Sequence, residues 1–356
     1  MIRFEPRSNP GPLLVYGVPV LAATIAILLA AIPLALAGAP IIEAYGLMIS
    51  GAFGSVFSTS EMLTRATPLI LTGLAAAIAF RAKLWNIGAE GQLYMGAMAA
   101  VAVGSGVIDG PSWVMIPVVI IAGMIAGALM LIGPTLLKTR LGVDEVVTTL
   151  LLNFIVLLFV QMMLEGALKD PMSMGWPQSE PIIDSAAFPA LLERMRVHIG
   201  LLIALVSAIA LAIFVKRTVW GFEIRAVGEN AAAAKFSGIS VTKTMILVAA
   251  LSGGLAGLAG VSEVAGTRGY LATDLSPGYG YAGIVVAMLA RLSPIGVIAS
   301  ALFVASVFVG ADSMSRAIGV SSYLADLIVA MALLCVLIGG FLTRFRVHFD
   351  RKSAQG

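Results

Sequence analysis

The stretch SWVMIPVVIIAGMIAGALMLIGPTLL (112–137) contains no charged side chain. An α-helix needs about 20 apolar residues to cross the hydrocarbon core of a bilayer, so this stretch predicts a membrane-spanning helix. The rest of the chain has the same character. Of its 356 residues 60% are hydrophobic and 12% are charged, and the mean hydropathy is +1.02. This composition lies far outside that of soluble globular domains and indicates a polytopic membrane protein.

Further apolar runs on both sides bring the predicted number of spans to about ten. Seven runs are long, near 13–37, 112–137, 146–167, 198–215, 244–265, 295–311 and 323–342, and three shorter or interrupted ones lie around 60–80, 86–108 and 278–290. We therefore predict an all-α fold that forms a single transmembrane domain over 1–356. Ten spans divide into two sets of five, 1–167 and 168–356, and a repeat between them would have inverted topology.

The basic residues predict the orientation of the spans, because Lys and Arg gather in cytoplasmic loops. With the N-terminus inside, alternate connections carry the positive charge. They are Arg3 and Arg7, Arg81 and Lys83, Lys138 and Arg140, the segment 216–243, Arg291, and the tail with Arg344, Arg346, Arg351 and Lys352. We expect both termini in the cytoplasm. The formal net charge of +3 reflects this bias and does not indicate nucleic-acid binding.

Several classes of enzyme lack their motifs in this chain. There is no Gly-Lys dipeptide, hence no Walker A loop to hold ATP phosphates. His198 and His348 are the only histidines and Cys335 is the only cysteine, so neither a metal centre nor an internal disulfide is predicted. No GxSxG elbow occurs. We expect no catalytic residues, no metal ligands and no cofactor in this chain, which is therefore not expected to be an enzyme by itself.

Polar groups at membrane depth are the candidates for contact with a solute, because polar groups are expensive in lipid. In NIGAEGQ (86–92), Asn86, Glu90 and Gln92 interrupt apolar sequence, as expected for a discontinuous helix that points a helix end at a solute path. The alternative is that Arg81 and Lys83 place the segment at the cytoplasmic surface, where its polarity is solvated.

Two further groups of polar residues have open interpretations. Asn153 lies four residues after Thr149, so both project from one helix face, either to bond a neighbouring helix or to contact solute. Tyr279 and Tyr281 precede a short apolar run. They are interpreted either as interfacial anchors or as rings that stack on a sugar or a base.

The segment KRTVWGFEIRAVGENAAAAKFSGISVTK (216–243) is a polar, mostly basic interruption between two spans, on the side predicted to be cytoplasmic. Its alanine-rich centre ends at Gly238, a pattern that predicts a helix, a stop and a second helix. We interpret the segment as a docking surface for a soluble partner.

The chain resembles a known family in three segments. RATPLILTGLAAAIAFRAKLWNIGAEGQLYMGA (65–97) is similar to permease subunits of ATP-binding-cassette (ABC) importers of the ribose and branched-chain amino acid superfamily. NIGAEGQ is typical of the nucleoside and simple-sugar branch, and DEVVTTLLLN (144–153) and GENAAAAKFSGI (228–239) resemble that branch too. The resemblance covers roughly residues 12 to 345. It implies half of a translocation pathway in a bacterial inner membrane, for a small-molecule substrate.

The resemblance also implies partners: an ABC ATPase that hydrolyses the ATP, a second homologous permease, and a periplasmic or lipid-anchored solute-binding protein. Segment 216–243 would be the coupling loop that fits the ATPase, with Glu229, Asn230, Ala233 and Gly238 as candidates for coupling. The loop lacks the Glu-Ala-Ala opening of other importer permeases. Alternatives are an ABC permease for branched-chain amino acids, an ion-coupled secondary transporter, and a membrane scaffold or receptor that transports nothing.

Overall fold

The computed structural model describes residues 2–6, 12–192 and 195–349, and this part of the chain is predominantly helical. Its helices are α1 (Pro12–Leu36), α2 (Ile41–Phe53), α3 (Val56–Arg81), α4 (Ala89–Gly104), α5 (Ser112–Leu141), α6 (Glu145–Glu165), α7 (Gly200–Arg217), α8 (Val219–Glu229), α9 (Ala231–Phe236), α10 (Val241–Glu263), α11 (Tyr279–Leu289), α12 (Pro294–Ile318) and α13 (Ser322–Arg344). A short strand β1 (Ile2–Pro6) pairs antiparallel with β2 (Phe345–Phe349). The predicted all-α membrane fold is confirmed.

Each of the predicted spans coincides with a helix. Seven helices in the described part, α3, α5, α6, α7, α10, α12 and α13, are long and apolar enough to cross a membrane. Residues Thr24–Leu36 of α1 meet the following α2 at an angle of 118°. Helix α11 is apolar but shorter than a span. We did not predict α2, because its 13 residues are too few for a span. The basic residues Arg7, Arg351 and Lys352 lie outside the described residues.

The chain divides into two compact units, with boundaries inside α3 and α12. The first comprises 1–58 and 306–356 and the second 59–305. In the first unit α1 packs against α13. A core of buried apolar side chains there includes Leu34, Ala44 and Met314.

In the second unit α10 packs between α4 and α5 through glycines. A Cβ at Gly127 would collide with the carbonyl oxygen of Gly253, and one at Gly257 with the carbonyl oxygen of Gly123. The backbones of α5 and α10 are therefore in direct contact, as small residues four apart permit in lipid. These four glycines therefore pack the two helices together. Helices from both predicted halves share this core, and the inverted repeat stays a prediction.

Candidate functional site

A non-helical break separates α3 from α4, but it covers residues 82–88 rather than the predicted 86–92, since α4 begins at Ala89. Asn86 lies in the break and is fully buried, and Gln92 in α4 is 2% exposed. The two amides bond each other, with Asn86 Nδ2 donating to Gln92 Oε1 at 2.9 Å and Gln92 Nε2 donating to Asn86 Oδ1 at 2.8 Å. The alternative that this polarity is solvated at the cytoplasmic surface is therefore wrong.

Ser252 on α10 joins the amide pair to two other helices. Its hydroxyl donates to the carbonyl oxygen of Ala75 in α3 at 2.7 Å and accepts from Asn86 Nδ2 at 3.0 Å. Sequence reasoning missed this residue, because it begins the run 252–260, whose small residues are typical of helix packing in lipid. The signal that could have found it is that Ser252 is the one hydroxyl in that run.

Glu90 joins the starts of two helices. It lies in the first turn of α4, is 4% exposed, and its Oε2 accepts a hydrogen bond from the backbone amide of Gly280 at 2.6 Å. Gly280 is in the first turn of α11, where backbone N–H groups have no partner within the helix and carry partial positive charge. The buried carboxylate thus caps α11. On the same helix the carbonyl oxygen of Tyr279 accepts from Thr72 Oγ1 at 3.0 Å.

Asn153 on α6 bonds the break, α4 and α11. Its Oδ1 accepts from the amide of Gly91 at 2.9 Å, which caps the first turn of α4. Its Nδ2 donates to the carbonyl oxygen of Ile87 at 2.9 Å and to Tyr281 Oη at 3.1 Å. The predicted hydrogen bond from Asn153 to a neighbouring helix is confirmed.

The polar cluster, as we call this set of residues, brings together the residues predicted for a solute pathway, of which Tyr279 takes part through its backbone carbonyl oxygen. Its members are Asn86, Glu90, Gln92, Asn153, Tyr279 and Tyr281, joined by Ser252. Five of the six predicted residues are buried, whereas Tyr281 is 39% exposed. The cluster offers hydrogen-bond donors and acceptors beside two helix N-termini. Tyr281 is the most exposed of the six.

The predicted coupling residues lie on α8, α9 and the turn that follows. Asn230 caps α9, since its Oδ1 accepts from the amides of Ala232 at 3.0 Å and Ala233 at 3.1 Å. Gly238 ends the turn in the left-handed conformation, with φ of +88°. Together with Glu229 these residues are exposed. The predicted sequence of helix, stop and helix is confirmed.

The most exposed aromatic residue in the described part of segment 216–243 was not predicted. Phe236, the last residue of α9, is 95% exposed. A large apolar side chain inside a polar segment was the signal that could have found it.

On the side of the chain predicted to be external, a cavity of about 450 Å³ lies between the loop before α7 and the end of α10. His198 lines it and is 2% exposed, with Nδ1 accepting from the amide of Gly200 at 3.1 Å. Burial lowers the pKa of His198 to about 4, because the charged imidazolium would lose its hydration. His198 is therefore neutral at physiological pH.

Comparison with known proteins gives consistent matches along the chain. The family model described as "Branched-chain amino acid transport system / permease component" matches residues 58–337. A glucose ABC transporter permease protein of Haloferax volcanii is 35% identical over 367 residues, covering 99% of this chain and 95% of that protein. A guanosine ABC transporter permease protein of Bacillus subtilis is 34% identical, covering 90% and 92%. A nucleoside ABC transporter permease protein of Lactococcus lactis is 36% identical, covering 77% and 78%.

Proposed function

This chain belongs to the family of branched-chain amino acid transport system permease components, and we propose that it is the membrane subunit of an ABC importer for nucleosides or simple sugars. The observation that carries the proposal is the identity of 34% to 36% with permeases named for guanosine, nucleosides and glucose. Such a subunit forms part of a solute path and catalyses no bond chemistry. ATP is hydrolysed by a separate subunit.

In this proposal the polar cluster lines or gates the solute path. Nucleosides and sugars carry several hydroxyl groups, which need hydrogen-bond partners once they leave water. Tyr281, which is 39% exposed, contributes an aromatic ring and a hydroxyl that bonds Asn153. The starts of α4 and α11 contribute partial positive charge near Glu90 and Gly91, as half-helices do in transporter sites. Asn86, Gln92 and Asn153 hold these helix starts in place.

We further propose that α8 and α9 bind the ABC ATPase on the cytoplasmic side. Exposure of Glu229, Asn230, Ala233 and Gly238 supports this assignment, as does the exposed ring of Phe236 at the end of α9. An aromatic side chain on a short protruding helix is a suitable anchor for a groove in a partner. A second homologous permease would complete the path, and a periplasmic or lipid-anchored binding protein would deliver the solute to the outer face.

Transport assays test this function. The permease is expressed with its candidate ATPase, second permease and binding protein, and uptake of labelled guanosine, glucose and leucine is measured in cells. We expect saturable uptake of guanosine or glucose that stops on ATP depletion and persists when the proton gradient is collapsed. Uptake that instead stops with the gradient would favour an ion-coupled transporter. No dependence of any uptake on this gene would favour a scaffold.

Branched-chain amino acids are a second candidate substrate class, favoured by the description of the matching family. Leucine uptake that depends on this gene, with no competition from guanosine or glucose, would establish this alternative.

A further inference from the structure

The end of α8 lies directly against the end of α3, where the helix break begins. Gly228 is in the last turn of α8. A Cβ at this position would overlap the carbonyl oxygen of Arg81 and stand 3.3 Å from Cα of Ala82. The two backbones therefore touch with no side chain between them, and a displacement of the end of α8 displaces the start of the break.

Hydrogen bonds hold the same two segments together. Lys83 Nζ donates to the carbonyl oxygen of Glu229 at 3.3 Å, at the C-terminal end of α8, where a positive charge is favourable. Lys138 Nζ donates to the carbonyl oxygen of Lys83 at 2.9 Å and forms an ion pair with Glu145. Glu145 Oε1 in turn accepts from the amide of Trp85 at 3.2 Å. We call residues 81–83 together with 228–229 the α8–α3 joint.

The joint is separated from the polar cluster by only the rest of the break. The amide of Asn86 donates to the carbonyl oxygen of Leu84 at 2.9 Å, and the amide of Ile87 donates to Thr149 Oγ1 at 3.3 Å. Asn86 itself bonds Gln92 and Ser252, as described above. A continuous set of backbone contacts and hydrogen bonds thus runs from α9, through the joint, to the polar cluster.

We propose that the α8–α3 joint transmits movement of α9 to the polar cluster, and that Gly228 and Lys83 are positioning residues of the transport cycle. The inference rests on the proposed function, because it takes α9 as the element that the ATPase moves. It adds the specific route by which that movement reaches the solute path. Packed interfaces pass on such a displacement because their atoms leave no space to absorb it.

The test compares Gly228→Ala with Gly133→Ala in the complete transport complex, reconstituted in liposomes. Gly133 is also helical, but a Cβ there meets no atom within 4 Å, so it controls for the glycine-to-alanine change itself. Three quantities are measured: ATPase co-purification, ATP hydrolysis, and solute transported per ATP hydrolysed. A second pair, Lys83→Met and Lys83→Arg, removes or keeps the cation that bonds the end of α8.

We expect Gly228→Ala to retain the ATPase and its hydrolysis rate but to lower solute transported per ATP at least fivefold. Gly133→Ala should match the wild type. Lys83→Met should lower the ratio about twofold, since an exposed bond contributes little, and Lys83→Arg should restore it. The proposal is overturned if Gly228→Ala transports as much solute per ATP hydrolysed as the wild type.

The other possible outcomes also support or overturn the proposal. If Gly228→Ala does not assemble, the two lysine variants test the proposal. Lys83→Met that transports as much solute per ATP as the wild type overturns it. A loss in Lys83→Met that is absent in Lys83→Arg supports it. If the wild-type permease itself binds no ATPase, it is the proposed function that fails. The two failures are thus distinguishable.

Discussion

At the scale of single residues, four buried side chains of the cluster, those of Asn86, Glu90, Gln92 and Asn153, bond a backbone group or another side chain. Glu90 and Asn153 accept from amides in the first turns of α11 and α4, and Asn86 and Gln92 satisfy each other. Leaving a buried donor unpaired costs about 1 to 3 kcal/mol, so the removal of one partner has a large effect on the helix end that it caps. These side chains set the position of two helix starts.

Glu90 provides the sharpest residue-scale prediction. Glu90→Ala removes the acceptor of the Gly280 amide, and we expect roughly a tenfold loss of uptake, equivalent to about 1.4 kcal/mol. Glu90→Gln keeps a carbonyl oxygen and should remain within about threefold of the wild type. Initial uptake rates at matched membrane expression measure both. Equal rates for the alanine and glutamine variants would show that the hydrogen bond to Gly280 is unimportant.

His198 predicts a pH dependence of stability. Its folded-state pKa, lowered to about 4, lies below the ordinary value of 6.5, so the unfolded chain binds the proton more readily. The free energy of unfolding is therefore highest above pH 6.5, where His198 is neutral in both states. It falls progressively as the pH drops toward 4, because only the unfolded chain takes up the proton readily. Thermal unfolding of the purified permease between pH 7.5 and 4.5 measures the effect. His198→Asn should flatten the dependence, and an unchanged slope would refute this assignment.

At the scale of elements, α9 is too short to be stable by itself. It has six residues, whereas isolated helices shorter than about 12 residues are marginal in water. Its start is fixed by the Asn230 side chain and its end by the left-handed turn at Gly238. The caps therefore determine whether α9 presents Phe236 in an ordered position.

We predict that Asn230→Ala weakens binding of the ATPase, because loss of an N-cap costs about 0.5 to 2 kcal/mol. Asn230→Asp keeps the acceptor oxygen and should retain the partner. The fraction of ATPase that co-purifies with the permease in detergent is the measurement. An alanine variant that binds as well as the aspartate variant would mean that α9 is ordered by other contacts or is not the docking element.

At the scale of the whole molecule, the sequence predicted where the helices lie along the chain but not which of their residues contact each other. Hydropathy located each of the seven described helices that are long and apolar enough to cross a membrane, because length and apolarity are local properties. Asn86 and Ser252 are 166 residues apart, and no local pattern relates them. The polar residues of 86–92 predicted an interruption between α3 and α4, which the structure has four residues earlier, at 82–88. Their burial was not predictable, since nearby basic residues suggested a solvated surface. α2 was missed because it is shorter than a span.

Orientation across the membrane is a whole-molecule prediction that labelling can test. In a Cys335→Ala background, Met174→Cys, at a position that is 98% exposed, should react with a membrane-impermeant maleimide in intact cells. Val143→Cys, in the turn between α5 and α6, should react only after permeabilisation. The reverse pattern would invert the topology that the basic loops predict.

The bond between Glu90 and Gly280 also has a consequence for biogenesis, because its partners are 190 residues apart. At about 5 to 20 residues per second, the ribosome needs roughly 10 to 40 s to reach α11 after α4 has been made. During that interval the carboxylate has no amide of α11 to accept from. We therefore expect α4 to take up its final depth only after α11 has been synthesised, which makes this pair a late step in membrane insertion.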